Sequence, residues 1–206
     1  KLTRRLGDEL PHQLAVSVER WEETEKILVI HLSILVERDG QRYQVESHTV
    51  IEAPLEAVYG VLSDYDHLHE LSTAFEETRV VEGADSPHDR LVYLRARGCV
   101  AFFCRTIERY DRLALTPPQE ISAVAVAPPQ DTPDAKASPI PYSRSHWRLT
   151  EEVDGTHVYY SLEMEPPFWV PPLVGPWAVK RKLARGAEDA AQRVEQRALG
   201  LPVTFD

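Results

Sequence analysis

The segment Asp64-Tyr65-Asp66-His67-Leu68-His69-Glu70 is the densest run of titratable side chains in the sequence. Carboxylates beside imidazoles are the material of metal sites and acid–base pairs. The spacing argues for neither. His67 and His69 are two residues apart, and on a helix such residues do not share a face. The reading adopted is local: Asp64 or Asp66 caps a helix.

Cys99 and Cys104 are the only cysteines, and they bracket Val-Ala-Phe-Phe. If the runs 90–98 and 104–113 form a hairpin, the two face each other across its tip and a disulfide is feasible. In one straight strand, positions five apart point to opposite faces and no bond forms. The hairpin is the reading adopted. So short a closed loop contributes about 2 kcal/mol. A bond implies an oxidising setting, periplasmic or membrane-peripheral; two idle thiols imply the cytoplasm. C-x4-C without further Cys or a paired His is not a zinc site, and no metal is assigned. Arg95, Arg97, Arg105 and Arg109 alternate along the same hairpin, so one set shares a face. Turned inward, an arginine holds a carboxylate or polarises a carbonyl. The reading adopted is a solvated outer face. The sequence has no G-x-S-x-G, P-loop, G-x-G-x-x-G or H-E-x-x-H. No catalytic residue and no cofactor is assigned.

The elements that position these residues follow from periodicity. Residues 1–25 are charged and weakly periodic and read as an N-terminal arm; 26–206 read as a single domain. Two strand-like runs flank Asp39-Gly40, a hairpin signal because glycine tolerates positive φ. Tyr43, Val45, Ser47, Thr49 and Ile51 share one face of the second run. Pro54 then opens a helix with Leu55, Val58, Tyr59 and Leu62 at helical spacing. Strands follow at 78–83, 90–98, 104–113 and 120–127, then a proline-rich loop, then a hairpin of 142–152 and 156–165 turning at Asp154-Gly155. The segment EPPFWVPPLVGPW, 165–177, has five prolines, and proline keeps it out of helix and sheet. A helix at 178–199 closes the chain, its inner face Val179, Leu183, Ala187, Ala190, Ala191, Val194 and Ala198. The fold class is α+β, an antiparallel sheet with a helix on one face.

That inner face is mostly alanine, so a curved sheet around it leaves room. Either the room is a cavity or the sheet aromatics Tyr93, Tyr110, Trp147 and Tyr159 fill it. With a cavity, these aromatics and Leu183, Ala187, Ala190 and Val194 are the candidate ligand-binding residues.

The 206 residues carry a net charge of −10 with pI about 5.3, which excludes general nucleic-acid binding. Mean hydropathy is −0.35, and the longest apolar run, 27–36, falls well short of the ~20 residues of a membrane span. The sequence begins at Lys1, not Met, so preceding residues are expected and the compartment stays open.

The run VIEAPLEAVYGVLSDYDHLHEL (50–71), the strand pair HWRLTEEVDGTHVYYSLEMEP (146–166) and the PP-rich approach to the last helix resemble the START-like superfamily, including its polyketide cyclase/dehydrase and coenzyme Q-binding groups. The resemblance implies a helix-grip fold: a curved antiparallel sheet wrapped around a long C-terminal helix, here with an extra N-terminal strand. It also implies a hydrophobic cavity between sheet and helix for lipids, sterols, quinones or polyketides, and does not by itself imply catalysis; the leading reading is non-catalytic binding or transport of a lipid or isoprenoid quinone. In that plan the loop before the last helix and the hairpin tips frame one way in. Phe102, Phe103, Phe168, Trp169 and Trp177 then form an apolar rim for peripheral membrane contact, with Lys180, Arg181, Lys182 and Arg185 attracting anionic headgroups. On the alternative reading Phe168, Trp169 and Trp177 cap the core. Two rival functions remain: an enzyme resembling the polyketide aromatase/cyclases, and a pocketless interaction domain.

Overall fold

Alternating apolar and polar side chains build eight strands, and every pairing between them is antiparallel. They are β1 (Leu32–Asp39), β2 (Arg42–Ile51), β3 (Phe75–Val80), β4 (Asp89–Val100), β5 (Phe103–Thr116), β6 (Glu120–Val126), β7 (Tyr142–Glu152) and β8 (Gly155–Glu165). They form one sheet in the order β1-β2-β8-β7-β6-β5-β4-β3. Helix α1 (Leu55–Ser63) and a 3-10 turn (Leu68–Glu70) join β2 to β3, and α2 (Gly175–Ala198) ends the fold. This computed structural model describes residues 32–81, 86, 88–100, 103–129, 142–165 and 175–203. The expected arm at 1–25 and the first residues of the expected strand at 26–37 lie outside that set.

The α+β helix-grip plan and the extra edge strand β1 are therefore both present. The β1–β2 turn falls at Gly40, with φ of 58°, where the sequence placed it. β3 starts three residues earlier than periodicity indicated, at Phe75, and α2 starts at Gly175.

One face of the sheet and α1 make the core. Ile51, Val92, Leu94, Leu113, Ile121, Leu149 and Val158 pack with Leu55, Val58, Tyr59 and Leu62 of α1, the helical set read from spacing. Pro54 stands at the N-cap of α1, where its missing N–H costs nothing. The segment after α1 is held by long-range bonds and not by caps. Asp66 Oδ1 accepts from Val80 N at 2.8 Å, and Thr78 Oγ1 accepts from His69 N at 3.0 Å. Asp64 contacts His67 at 2.8 Å and Arg197 of α2 at 3.5 Å. No side-chain cap bond is present at α1 or at the 3-10 turn, which corrects the capping reading of Asp64 and Asp66.

α2 docks through its second half. Ala191 and Val194 are buried as expected, but so are Arg193 and Glu195. Arg193 donates to Leu71 O at 3.2 Å, which accounts for its burial. Glu195 lies against Glu52, whose backbone hydrogen bond favours the carboxylate. Burial outweighs that bond and pushes Glu195 from its ordinary 4.5 up to about 7. Between those two values the folded chain holds a proton that the unfolded chain has released. Stability from this group is therefore full below about 4.5 and is lost as pH rises through about 7. The variant Glu195→Gln lacks this term. Thermal unfolding followed between pH 5 and 8 should show the wild type losing stability relative to Glu195→Gln, with the gap opening as pH rises. A constant gap removes Glu195 as the titrating group.

The β7–β8 turn is pressed against the β2–α1 connection. Thr156 Oγ1 donates to Ala53 O at 2.7 Å in a fully buried setting. Gly155 has φ of 132°, and a Cβ there would strike the Ile51 carbonyl oxygen. Gly155→Ala should therefore cost about 3 kcal/mol or more, since backbone strain and a backbone clash coincide. Gly60, inside α1, has nothing within 4 Å of such a Cβ. Gly60→Ala should instead stabilise by about 0.5–1 kcal/mol through helix propensity. Urea unfolding of the two variants reads both signs.

Candidate functional site

The inner face of β5 is fixed by Leu113 and Leu115, both in the core. Side chains in a strand repeat with period two, so Asp111 and Arg109 point the same way. The β4–β5 register confirms it: Val92 pairs with Asp111 and Leu94 with Arg109, and both partners are core residues. An arginine and an aspartate thus stand on the apolar side of the sheet. This corrects the reading of the arginine row as an outer face. Arg95 and Arg97 do lie outside, paired with Glu76 at 3.2 and 3.8 Å. Arg109 lies inside.

Arg109 Nη2 lies 2.9 Å from Asp111 Oδ2, with side chains 18% and 4% exposed. Arg109 Nη1 donates to Ser143 Oγ on β7 at 3.0 Å. The inner positions of β6 between them carry Ala123 and Ala125, which are small enough to let the guanidinium cross. Burial raises the Asp111 pKa, and the Arg109 charge and hydrogen bond oppose that rise. Asp111 Oδ1 is buried and has no hydrogen-bond partner, and Tyr59 Oη is in the same condition.

Two phenols complete the cluster. Burial pushes Tyr160 of β8 up to about 12, with Arg109 opposing and Asp111 adding. Tyr65, two residues past the end of α1, is raised by burial first, then by Asp111 and Tyr160. Both stay protonated at neutral pH and act as donors. Trp147 packs on Tyr160 with ring centroids 4.0 Å apart. The set can hold an acceptor through Arg109, Tyr65 and Tyr160 and a donor through Asp111 Oδ1.

Accessibility changes along the inner face. Thr156 and Val158 of β8 are buried, while Tyr160, Leu162 and Met164, on the same face, are partly accessible. One end of the core is closed by α1 and the end of α2. The polar cluster sits where closure stops.

The expected ligand-binding residues divide. Trp147 is on the inner face beside the cluster; Ala187 and Ala190 of α2 are half-buried, and Val194 is buried in the core. Tyr159 is not on the inner face: it is 43% exposed and stacks on His48 at 4.3 Å, and Tyr160 takes the inner place. Tyr93 and Tyr110 also face away from the core side, buried against each other at 5.3 Å with Arg79 over Tyr93 at 4.6 Å. The side chain of Leu183 lies outside the described set. Asp111, Ser143, Tyr65 and Tyr160 were missed, and Arg109 was named but read as outward. Counting by two from Leu113 finds Asp111 and Arg109, from Leu149 finds Ser143, and from Val158 finds Tyr160.

Of the expected rim, Phe102, Phe168 and Trp169 lie outside the described residues, as do the side chains of Phe103 and Lys180. Trp177 is 61% exposed, with Arg181 over its ring at 5.3 Å, so it does not cap the core. Arg181, Lys182 and Arg185 are exposed on the same helix. Cys99 stands directly opposite Cys104 in the hairpin register, and Cys104 is disulfide-bonded. His67 and His69 take different partners, Asp64 and Thr78. The Asp64 bond raises the His67 pKa. No helix among the described residues is long and apolar enough to cross a membrane.

Residues 42–195 match the family described as polyketide cyclase/dehydrase and lipid transport. The fold is similar to the STAR-related lipid transfer protein of Xanthomonas axonopodis, with a TM-score of 0.63 at 12% identity over 85% of this chain and 97% of that one. It is similar to human STARD10, at 0.61 and 15% identity over 85% and 71%. It is also similar to the Zhui aromatase/cyclase of Streptomyces, at 0.51 and 16% identity over 77% and 92%. At these identities the likeness is one of fold. A short stretch of 42 residues is 50% identical to the GTPase Era of Pseudomonas aeruginosa and covers 20% of this chain and 14% of that protein. The chain thus spans a small fraction of the length of these curated relatives.

The buried ion pair has a measurable signature. Arg109→Met leaves Asp111 unpaired inside the sheet and should cost about 3 kcal/mol. Replacing both, Arg109→Met with Asp111→Leu, should return most of that loss, because no buried charge remains. Urea midpoints of the single and double variants make the comparison; equal losses would place the pair in solvent.

Proposed function

The chain belongs to the polyketide cyclase/dehydrase and lipid transport family, and from that premise we propose that it binds one hydrophobic small molecule, a lipid or isoprenoid quinone, between the sheet and α2. The observation that carries the reading is Asp111 Oδ1: a buried carboxylate oxygen with no partner, beside an arginine that keeps part of its surface accessible. Leaving such an acceptor unmade costs about 1–3 kcal/mol. A ligand hydroxyl donating to it, with a neighbouring ligand oxygen on Arg109, removes the cost. The apolar tail supplies the affinity, at about 0.8 kcal/mol per buried methylene.

The exposed Trp177 and the bases Arg181, Lys182 and Arg185 support docking of this end of α2 on an anionic membrane surface. The disulfide at Cys104 supports an oxidising compartment. The same Arg109, Tyr65 and Tyr160 set favours a second reading, a cyclase that polarises a polyketide carbonyl. Both phenols are pushed up, so they serve as donors and not as bases.

The test is gentle purification from the native cells, solvent extraction and mass spectrometry. A stoichiometric apolar molecule bearing a hydroxyl or carbonyl is expected, with its retention falling at least tenfold in Ser143→Ala or Arg109→Lys. In the same preparations Trp177→Ala should reduce sedimentation with anionic vesicles while leaving the bound molecule in place. An empty protein that also ignores a panel of quinone, phospholipid and sterol rejects the binder and leaves the cyclase, whose substrate is transient.

A further inference from the structure

A second group of chemistry-bearing side chains lies on the opposite face of the sheet, away from the interior cluster. The β7–β8 turn places Glu152 and Asp154 on its outer side, and His157 follows at the start of β8. Its parity is opposite to that of the core residues Thr156 and Val158, so its ring faces outward, yet only 12% of the side chain is exposed. His157 Nε2 is 2.8 Å from Asp154 Oδ1 and 3.7 Å from Glu152 Oε2, and the three donor atoms all lie within 4.8 Å of one another. His157 Nδ1 is 3.0 Å from His48 Nε2 on β2. The His48 ring is in turn stacked on Tyr159 at 4.3 Å.

We propose that Glu152, Asp154 and His157 form a binding site for one zinc-class divalent cation, with His48 as a positioning residue. Four donors held tetrahedrally at about 2.0–2.2 Å from an ion stand roughly 3.4 Å apart. The two distances to His157 Nε2 straddle that value. Only the carboxylates must adjust, and both are exposed side chains at a turn. The imidazole is already fixed by burial and by its second nitrogen.

Hydrogen bonding alone does not account for the group. One carboxylate satisfies His157 Nε2, and at 3.7 Å Glu152 is too far to be a second acceptor. Its approach brings two like charges together, an arrangement that a cation stabilises. Glu52 and Glu151 join Glu152 and Asp154 around a neighbouring hollow at the turn, so the local potential favours a cation. One imidazole with two carboxylates selects first-row divalent ions over calcium and magnesium, which take oxygen alone, and over ions that prefer thiolate. Binding requires a free lone pair on His157 Nε2 and a proton on Nδ1. With an ion on Nε2 in place of the proton now shared with Asp154, His48 Nε2 at 3.0 Å can accept the Nδ1 hydrogen bond and orient the ring, the usual arrangement behind a metal-bound histidine.

The experiment is calorimetric titration of Zn2+ into the untagged full chain after chelator treatment, with Co2+ visible absorption as a second readout. One ion per chain and a raised melting temperature are expected. Uptake should vanish in His157→Ala. It should weaken at least tenfold in the double variant Glu152→Gln with Asp154→Asn, whose positions are exposed and whose fold circular dichroism confirms. His48→Gln should weaken binding about 10–100-fold without abolishing it. No uptake by the wild type, or unchanged uptake in the double variant, overturns the proposal.

Discussion

Twelve consecutive pairs from Asp89↔Ala114 to Val100↔Phe103 join β4 to β5 without a register shift. Because side chains alternate strictly, that one register decides the environment of every residue on both strands. It puts Val92, Leu94 and Leu113 into the core. It carries Arg109 and Asp111 in with them and turns Tyr93 and Tyr110 to the other side. It also brings Cys99 opposite Cys104. A slip of one residue would exchange the two faces. The interior would gain two tyrosines and lose its only described arginine–aspartate pair. The register is held at the end of the ladder away from the hairpin tip, where Val92 and Leu113 are fully buried, so the tip does not have to define it.

Much of the architecture was legible because it depends on local rules. Gly40 and Gly155 mark turns that need positive φ, and Leu55, Val58, Tyr59 and Leu62 can share a face only on a helix. The face of a strand is harder to read when both sides carry apolar groups. Val92-Tyr93-Leu94 gives no alternation, and Tyr159-Tyr160 offers the same side chain to either face. The aromatics were therefore assigned inward by size, and three of the four lie outside. The arginines were assigned outward by charge, and one lies inside. Composition answers which residues are usually buried. It does not answer which way a given residue points. Counting by two from an unambiguous core residue does, and Leu113 and Val158 were available for that.

α2 follows the same logic. Its alanine stripe correctly marked a helix lying on the sheet, but two charged residues are buried along with it. Arg193 reaches a backbone carbonyl, and Glu195 approaches the Glu52 backbone. Neither partner is near in sequence, so no window of the helix reveals them. The burial of a charged residue depends on a partner supplied by the fold, and a periodic pattern carries no record of that partner.

A purely stabilising design would not place Arg109 and Asp111 where they are. A buried ion pair returns little net stability, and an apolar pair of similar volume often does better. Here the arrangement also leaves Asp111 Oδ1 unpartnered, so even the pair's own hydrogen bonding is incomplete. The surrounding core compensates: β4, β5, β6 and β7 each contribute fully buried aliphatic side chains within a few residues of the cluster. The cost falls at the place where Tyr160, Leu162 and Met164 become accessible. A polar group whose partner is missing, at a boundary between packed and accessible interior among the described residues, is what the proposed binding position requires. Under the proposed function, it is already desolvated and oriented before a ligand arrives.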